Sequence, residues 1–172
     1  MYDTVLYPTD GSEGAACAKQ HAKAIAEQFG ATVHVLYVAD TAFGDTPMRL
    51  GQTDDGEWTT GMVRRKSENR SKTGMLKKEV NVTDVLEREG KRFTEEVASE
   101  LEEAGVDAVS ACRVGVAPKA IIKYADEHGV DVIVMGTHGR SGLERRLIGS
   151  VTEKVVRESH VPVLSVHLDH DA

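Results

Sequence analysis

The order of elements in the first forty residues constrains the fold more than any other feature of the chain. An apolar run at residues 4–6 stops at the turn sequence PTDGS, which is typical of a strand that leads into a helix. Apolar residues then recur at helical spacing from residue 18 to residue 29, and Gly30 can end that helix in a left-handed conformation. Residues 31–38 are β-branched and apolar enough for a second strand. Two strands separated by one helix require a crossover connection, and they therefore run parallel.

The same alternation continues beyond residue 81. The patterns predict a helix from residue 82 up to Gly105, a strand at 108–114, a helix at 117–128, a strand at 130–135, a helix at 150–158 and a strand at 161–166. Residues 130–135 are nearly all apolar, which is typical of a central strand covered on both faces, whereas Pro162 indicates an edge strand or a strand start. Five strands and four helices predict an α/β fold, with an open, doubly wound, five-stranded parallel sheet in three α/β/α layers. The length of 172 residues predicts a single domain over residues 1–172.

Residues 41–80 interrupt this alternation and are interpreted as a polar, partly irregular insertion. They contain eight Lys or Arg and six Asp or Glu, a net charge of +2, so the rest of the chain carries −9. A solvated charged loop is the simplest explanation. The second strand ends at the edge of the sheet where ligands bind in such folds, so the alternative is that residues 64–78 fold over a bound ligand or form a partner surface.

Charge, hydropathy and cysteine content disfavour several classes of function. Twenty-one Lys and Arg against 28 Asp and Glu leave a formal charge of −7, which disfavours general nucleic-acid binding because the phosphate backbone is also negative. No apolar run approaches the roughly 18 residues that cross a bilayer, and the N-terminus lacks a basic region followed by a hydrophobic stretch. Cys17 and Cys112 have no metal-binding spacing and are expected to be reduced. We therefore expect a cytoplasmic protein without membrane association.

The segment after the predicted central strand carries the clearest chemical signal. It places Gly136, Gly139 and Gly149 before a helix that opens with Ser150. Glycines let a backbone approach a phosphate closely, and the free N–H groups at a helix start favour anions. Two structural alternatives remain open, because the glycines could only shape a turn and Ser150 with Glu153 spells an S-x-x-E capping box. His138 and Arg140 lie in the same segment and could contact a phosphate or serve only as surface loop residues.

Asp10 follows the first strand and supplies a carboxylate at the same edge of the predicted sheet. It could hold a ribose hydroxyl or a phosphate-bound cation, although Asp10 or Ser12 could equally serve as the N-cap of the first helix. The chain contains no G-x-x-x-x-G-K-[ST] and no G-x-G-x-x-G after the first strand, so a P-loop NTPase and an NAD-binding domain are disfavoured. The G-x-S-x-G signature of a serine hydrolase is also absent.

Together these residues resemble the universal stress protein family, on the side of that family that binds ATP. The most specific part of the resemblance is the pattern G-x-x-G, nine residues, then G-[ST], which is met by Gly136, Gly139, Gly149 and Ser150. The resemblance covers nearly the whole chain apart from the insertion and includes Asp10 after the first strand. It implies a Rossmann-like fold of the adenine nucleotide alpha hydrolase-like type, with ATP or ADP as the ligand.

The resemblance also assigns roles to individual positions. The residues that it places against the adenine and the sugar are Pro8, Thr9, Val38, Met135 and Gly136. The residues that it places around the phosphates are Gly139, Arg140, Gly149, Ser150 and Val151. Asp10 would hold the ribose or a phosphate-linked magnesium ion, and the backbone of Val38 would bond to adenine. Family members usually dimerise through the last strand, here Val163–Val166, and an unpaired edge strand gives this a physical motive.

Two functions from different classes follow. The first is a regulatory stress-response module, a homodimer that binds ATP or ADP and presents a nucleotide-dependent surface to an unidentified protein. It is favoured because no general base is evident beside the phosphate cradle. The second is a slow Mg-dependent ATP hydrolase or nucleotidyl transferase with the cation at Asp10, since phosphoryl transfer depends mostly on positioning and charge neutralisation.

Overall fold

The computed structural model describes residues 1–40, 48–52, 58–62, 82–137 and 148–167, with the backbone alone at 48–52, 58–62 and 82–85. The elements, in chain order, are β1 Thr4–Pro8, α1 Glu13–Phe29, β2 Thr32–Asp40, β3 Met48–Gln52, β4 Trp58–Met62, α2 Val82–Glu103, β5 Ala108–Gly115, α3 Ala117–Glu127, β6 Val132–Gly136, α4 Ser150–Glu158 and β7 Val163–Val166. None of the helices among these described residues is long and apolar enough to cross a membrane.

The predicted five-stranded parallel sheet is confirmed. Its strand order is β5-β2-β1-β6-β7, and every neighbouring pair runs parallel. Val5 of β1 stands opposite Val33 of β2 on one side and Val132 of β6 on the other. The chain adds strands on one side of β1 up to β5, and then crosses to the other side for β6 and β7. The winding direction therefore reverses between β1 and β6.

Both faces of the sheet are covered, because successive strand residues point to opposite sides. Val5 belongs to the apolar cluster under α1 and α2, and its neighbour Leu6 belongs to the cluster under α3 and α4. The central strands β1 and β6 contribute fully buried side chains to each cluster, which agrees with the nearly continuous apolar sequence of β6. The cysteines Cys17 and Cys112 are half-buried and form no disulfide.

The structure differs from the sequence-based expectation at several element ends and in the insertion. The strand predicted at 130–135 begins at Val132, because the amide of Val130 still bonds to the carbonyl oxygen of Ala125 in the last turn of α3, at 3.1 Å. The strand predicted at 161–166 begins at Val163, directly after Pro162. Within the insertion, β3 and β4 form an antiparallel pair that the sequence analysis did not predict. The basic stretch at residues 64–78 lies outside the described residues.

Candidate functional site at the carboxyl edge of the sheet

The carboxyl ends of β1 and β6 lie side by side at the point where the winding direction reverses. Ligands of open α/β sheets bind in the crevice outside such a switch point. Most of the candidate residues predicted from the sequence follow these same two strands.

On the β1 side, the turn after Pro8 is held by its own polar groups. Thr9 is buried and its amide donates to the carbonyl oxygen of Leu36 at 2.9 Å, which extends the contact between β1 and β2. The amide of Gly11 donates to Oγ1 of Thr9 at 3.2 Å, and the amide of Ser12 donates to Oδ1 of Asp10 at 3.0 Å. Gly11 has a φ of 77°, the left-handed conformation that glycine adopts without strain.

The N-cap of α1 is Ser12, whose Oγ accepts a hydrogen bond from the amide of Ala15 at 3.3 Å. Of the two capping residues that the sequence left open, the structure therefore assigns Ser12. Asp10 is half-buried two residues before Ser12, and its carboxylate accepts the amide of Ser12 at the entry to the helix. This places the Asp10 carboxylate at the mouth of the crevice on a turn fixed by at least two backbone amides.

Tyr7 locks this turn to α1, and the sequence analysis did not single it out. Its buried hydroxyl donates to the carbonyl oxygen of Ala15 at 2.7 Å and lies 3.2 Å from Oγ1 of Thr9. Burial raises the pKa of Tyr7 to about 12, so the phenol remains a hydrogen-bond donor throughout the physiological range. The sequence contains one signal for this role, a tyrosine within an apolar strand. A buried tyrosine needs a hydrogen-bond partner for its hydroxyl.

On the β6 side, Gly136 is required by close packing. A Cβ atom at this position would lie 2.6 Å from both the carbonyl carbon and oxygen of Gly14, in the first turn of α1. The end of β6 and the start of α1 can therefore approach this closely only because Gly136 lacks a side chain. This packing explains Gly136 without a ligand.

The start of α4 differs from the capping box considered above. Gly149 is the N-cap and Ser150 is the first helical residue, with no side-chain capping bond, and Glu153 pairs with Arg157 at 3.0 Å. The S-x-x-E capping box is therefore wrong, and the hydroxyl of Ser150 is not needed to start the helix. The amide of Gly149 donates to the carbonyl oxygen of Thr137 at 2.7 Å.

The amides of Ser150 and Val151 precede the first hydrogen bond inside α4, which joins the amide of Glu153 to the oxygen of Gly149 at 2.9 Å. Within the described ranges neither amide has a protein acceptor. Ser150 is exposed and Val151 is half-buried. The helix dipole adds partial positive charge at this end, so the two amides are suited to an anion.

The backbone of Val38 faces the same crevice. Peptide groups of a parallel strand alternate between its two neighbours, and the carbonyl oxygen of Leu36 points to β1, where it bonds to Thr9. Val38 lies two residues after Leu36, so its N–H and C=O groups point to the same side. The last residue pair between β1 and β2 is Pro8 with Leu36, so these groups of Val38 lie beyond it, at the crevice.

At the end of β2, Oδ2 of Asp40 accepts the amide of Ala117 at 3.4 Å. Asp40 therefore caps α3, whose own N-cap residue Val116 makes no side-chain capping bond.

The structure thus brings together nine of the candidate residues and leaves three without a described position. The nine at the carboxyl edge are Pro8, Thr9, Asp10, Val38, Met135, Gly136, Gly149, Ser150 and Val151. His138, Gly139 and Arg140 lie outside the described residues. The side chain of Met135 is only 5% exposed and packs in the cluster under α3 and α4, so its backbone is what it can offer a ligand. The residues that the sequence analysis missed are Tyr7, Asp40, Thr137 and Thr152.

Comparison with known proteins identifies the family. The chain matches the description "Universal stress protein family" over residues 1–167. The chain belongs to the universal stress protein family. The resemblance and the Rossmann-like fold inferred from the sequence are thereby confirmed.

Other universal stress proteins match the chain over nearly its full length. Universal stress proteins MJ0531 and MJ0577 of Methanocaldococcus jannaschii are 33% and 34% identical over 166 residues, which is 96% of this chain and 82% and 95% of theirs. The solved structure of MJ0577 superimposes with a TM-score of 0.73 at 31% identity, covering 99% of each chain. A universal stress protein solved in complex with cAMP gives a TM-score of 0.62 at 26% identity, with 98% of this chain and 99% of that chain covered.

Proposed function

We propose that this universal stress protein binds an adenine nucleotide, ATP or ADP, at the carboxyl edge of its sheet and acts as a nucleotide-dependent regulatory module in the stress response. The observation that carries the proposal is the pair of amides at Ser150 and Val151, which have no protein acceptor among the described residues and adjoin the switch point. The relative solved with cAMP supports an adenine nucleotide as the ligand class.

The ligand would lie across the crevice from β2 to α4. Its base would face the backbone of Val38 with Pro8 and Thr9 beside it, and its sugar would lie against Met135 and Gly136. The phosphates would reach the amides of Ser150 and Val151 and the hydroxyl of Ser150. Gly149 would contribute by letting the phosphates approach and less by its amide, which already donates to Thr137. We further propose that Gly139, Arg140 and His138 contact the phosphates.

We propose magnesium only as an ion that enters the site bound to the phosphates of the nucleotide. No group of three or more His, Cys, Asp or Glu side chains in the described part of the chain could hold a metal ion. Mg²⁺ is commonly bound by one or two carboxylates together with substrate phosphates, and Asp10 supplies one carboxylate at the crevice mouth. Asp10 would therefore orient the ion or its water shell. Because a carboxylate in this place could support phosphoryl transfer, slow ATP hydrolysis or nucleotidyl transfer is the alternative function.

A homodimer through β7 is the second part of the proposal. In the described sheet, β7 pairs only with β6, and it presents Leu164 with 39% of its surface exposed. Val156 of α4 is 49% exposed and adds apolar surface near the same edge of the molecule. Pairing of two β7 strands would remove an unprotected sheet edge and cover these side chains. A cytoplasmic location agrees with the two free cysteines, and the further protein partner remains unidentified.

The test uses a charge placed at the start of α4. A carboxylate at position 150 stabilises the helix by about 0.3–1 kcal/mol, but it occupies the amides that the phosphates need. We therefore expect Ser150→Glu to melt at or above the wild-type temperature while its affinity for ATP in calorimetry falls by more than ~10-fold, about 1.4 kcal/mol. Ser150→Gln, of equal size and without charge, is the matched control and should retain most of the affinity.

Two further measurements decide the remaining points. Mass spectrometry of the small molecule released on denaturation identifies the resident nucleotide, and phosphate release with magnesium over hours tests for hydrolysis. Release that disappears in Asp10→Ala would favour the enzyme, whereas intact, retained ATP would favour the regulatory module. A wild-type protein that binds neither ATP nor ADP, or a Ser150→Glu variant with unchanged affinity, would overturn the proposed site.

A further inference from the structure

Thr137 stands between the last two strands and the start of α4, and all three of its polar groups make contacts there. Its amide donates to the carbonyl oxygen of Val166 at 2.9 Å, and its carbonyl oxygen accepts the amide of Gly149 at 2.7 Å. Its Oγ1 lies 3.0 Å from Nδ1 of His167, the residue that follows β7. The side chain is 5% exposed, so these contacts are made inside the protein.

A second bond holds the same helix to the same strand end. Oγ1 of the buried Thr152 donates to the carbonyl oxygen of Gly136 at 2.8 Å. Two successive carbonyl groups at the end of β6 therefore receive hydrogen bonds from the N-cap and from the first turn of α4. The helix cannot slide along the sheet or turn about its axis without losing one of them, so the direction of its first amides is fixed relative to the crevice.

The two threonines differ in what fixes their own position. Thr152 is part of α4, whereas Thr137 directly follows β6 and contacts Val166 and His167 at the end of β7. The contact with His167 orients the side chain of Thr137, and the carbonyl oxygen of Thr137 accepts the amide of Gly149. A buried hydroxyl is stabilised by the hydrogen bonds that it makes, so the backbone at this position has reason to shift when the contact with His167 is removed.

We infer that Thr137 is a positioning residue for the nucleotide site, which holds the N-terminus of α4 in place for the phosphates and is itself held by His167 from the end of β7. The inference rests on the proposed function, because it assigns a role toward the nucleotide. It also connects the phosphate end of the site to the strand proposed as the dimer edge.

The test is a double-mutant cycle on the contact between Thr137 and His167, read by nucleotide affinity. Thr137→Val has nearly the same volume and keeps both backbone bonds, but it removes the hydroxyl. We expect Thr137→Val and His167→Ala each to weaken ATP binding about five-fold, which corresponds to a hydrogen bond of about 1 kcal/mol. The double variant should bind no more weakly than either single variant, and Thr137→Ser should restore binding to within about two-fold of wild type.

A control separates positioning from general loss of stability. Ser159 closes the other end of α4, where its Oγ donates to the carbonyl oxygen of Val161 and accepts the amide of the same residue, both at 3.0 Å. Ser159→Ala should lower the unfolding temperature about as much as Thr137→Val while leaving nucleotide affinity unchanged.

Three outcomes would overturn the inference while the proposed function stands. They are a Thr137→Val variant that binds ATP like wild type, losses that add in the double variant, and an equal loss of affinity in Ser159→Ala. Absence of ATP and ADP binding in the wild-type protein would instead remove the proposed function itself, and the inference with it.

Discussion

The contact between Gly136 and Gly14 allows a quantitative prediction for a single methyl group. In Gly136→Ala, the added Cβ would lie 2.6 Å from the carbonyl carbon and oxygen of Gly14 and 3.0 Å from the amide nitrogen of Ala15. Carbon atoms pack best at about 3.5–4.0 Å, so the two elements must separate by about 1 Å. These three nearest atoms all belong to the backbone, so no side-chain rotation can relieve the contacts with them.

Overpacking of this kind costs about 1–3 kcal/mol, which lowers the Tm of a domain of this size by roughly 2–12 °C. Because α1 carries the Ala15 carbonyl that holds Tyr7, the displacement should also reach the turn at Asp10 and weaken nucleotide binding. Scanning calorimetry measures the first effect and titration calorimetry with ATP measures the second.

Gly105→Ala provides the control for Gly136→Ala. A Cβ at Gly105 meets no atom within 4 Å, but its φ of 85° is unfavourable for alanine. This variant should lose about 1–2 kcal/mol through backbone strain alone and keep its full nucleotide affinity. If Gly136→Ala melted and bound ATP like wild type, the close approach of β6 and α1 would not be the reason for this glycine.

Three further predictions concern the elements that frame the site. Asp131 accepts the amides of Asp3 and Thr4 through Oδ2, at 2.7 and 2.9 Å, and these bonds lower the pKa of its carboxyl group below its ordinary value of 3.8. The stabilising effect of the Asp131 carboxylate is therefore complete above its ordinary pKa and is lost as the pH falls through the lower pKa of the folded state. In urea unfolding, the stability advantage of wild type over Asp131→Asn should shrink as the pH falls below about 5, and a pH-independent difference would contradict this. Ser12→Ala removes the N-cap of α1 and should cost about 1 kcal/mol in the same assay, while Ser12→Asp, which preserves an acceptor, should cost much less. Tyr7→Phe removes the hydrogen bond from the phenol to the carbonyl oxygen of Ala15, which keeps its helical donor within α1, and should cost about 0.5–1.5 kcal/mol. An unchanged unfolding midpoint would show that the bond contributes nothing.

The overall fold was predictable because its signals are local. The alternation of strand and helix patterns requires parallel crossovers, and Pro162 correctly indicated that the last strand lies at an edge of the sheet. The location of the candidate crevice followed from the same reasoning, since the ends of β1 and β6 can be found from the sequence once the strand order is inferred. At the start of α1, the residue types limited the N-cap to Asp10 or Ser12, and the structure assigns Ser12.

The local sequence pattern did not identify the N-cap of α4, because Ser150 fits both a capping box and the first helical position. Ser150 with Glu153 has the spacing of a capping box, yet the helix begins one residue earlier than that motif requires, with Gly149 as the N-cap. The hydrogen bond from the amide of Gly149 to the carbonyl oxygen of Thr137 makes Gly149 the N-cap, and Thr137 lies outside α4. No periodicity in the sequence contains that information.

The order and type of the elements of the parallel sheet could be derived from the sequence, because hydrophobic periodicity and turn residues act over a few neighbours. Three relations became visible only in the folded structure: the reason why Gly136 is a glycine, the capping of α3 by Asp40 from 77 residues away, and the link of Thr137 between β7 and α4. These relations depend on how closely two elements pack and in which register they meet. Distances between elements remote in the chain are set by the folded core as a whole, which no short stretch of sequence specifies.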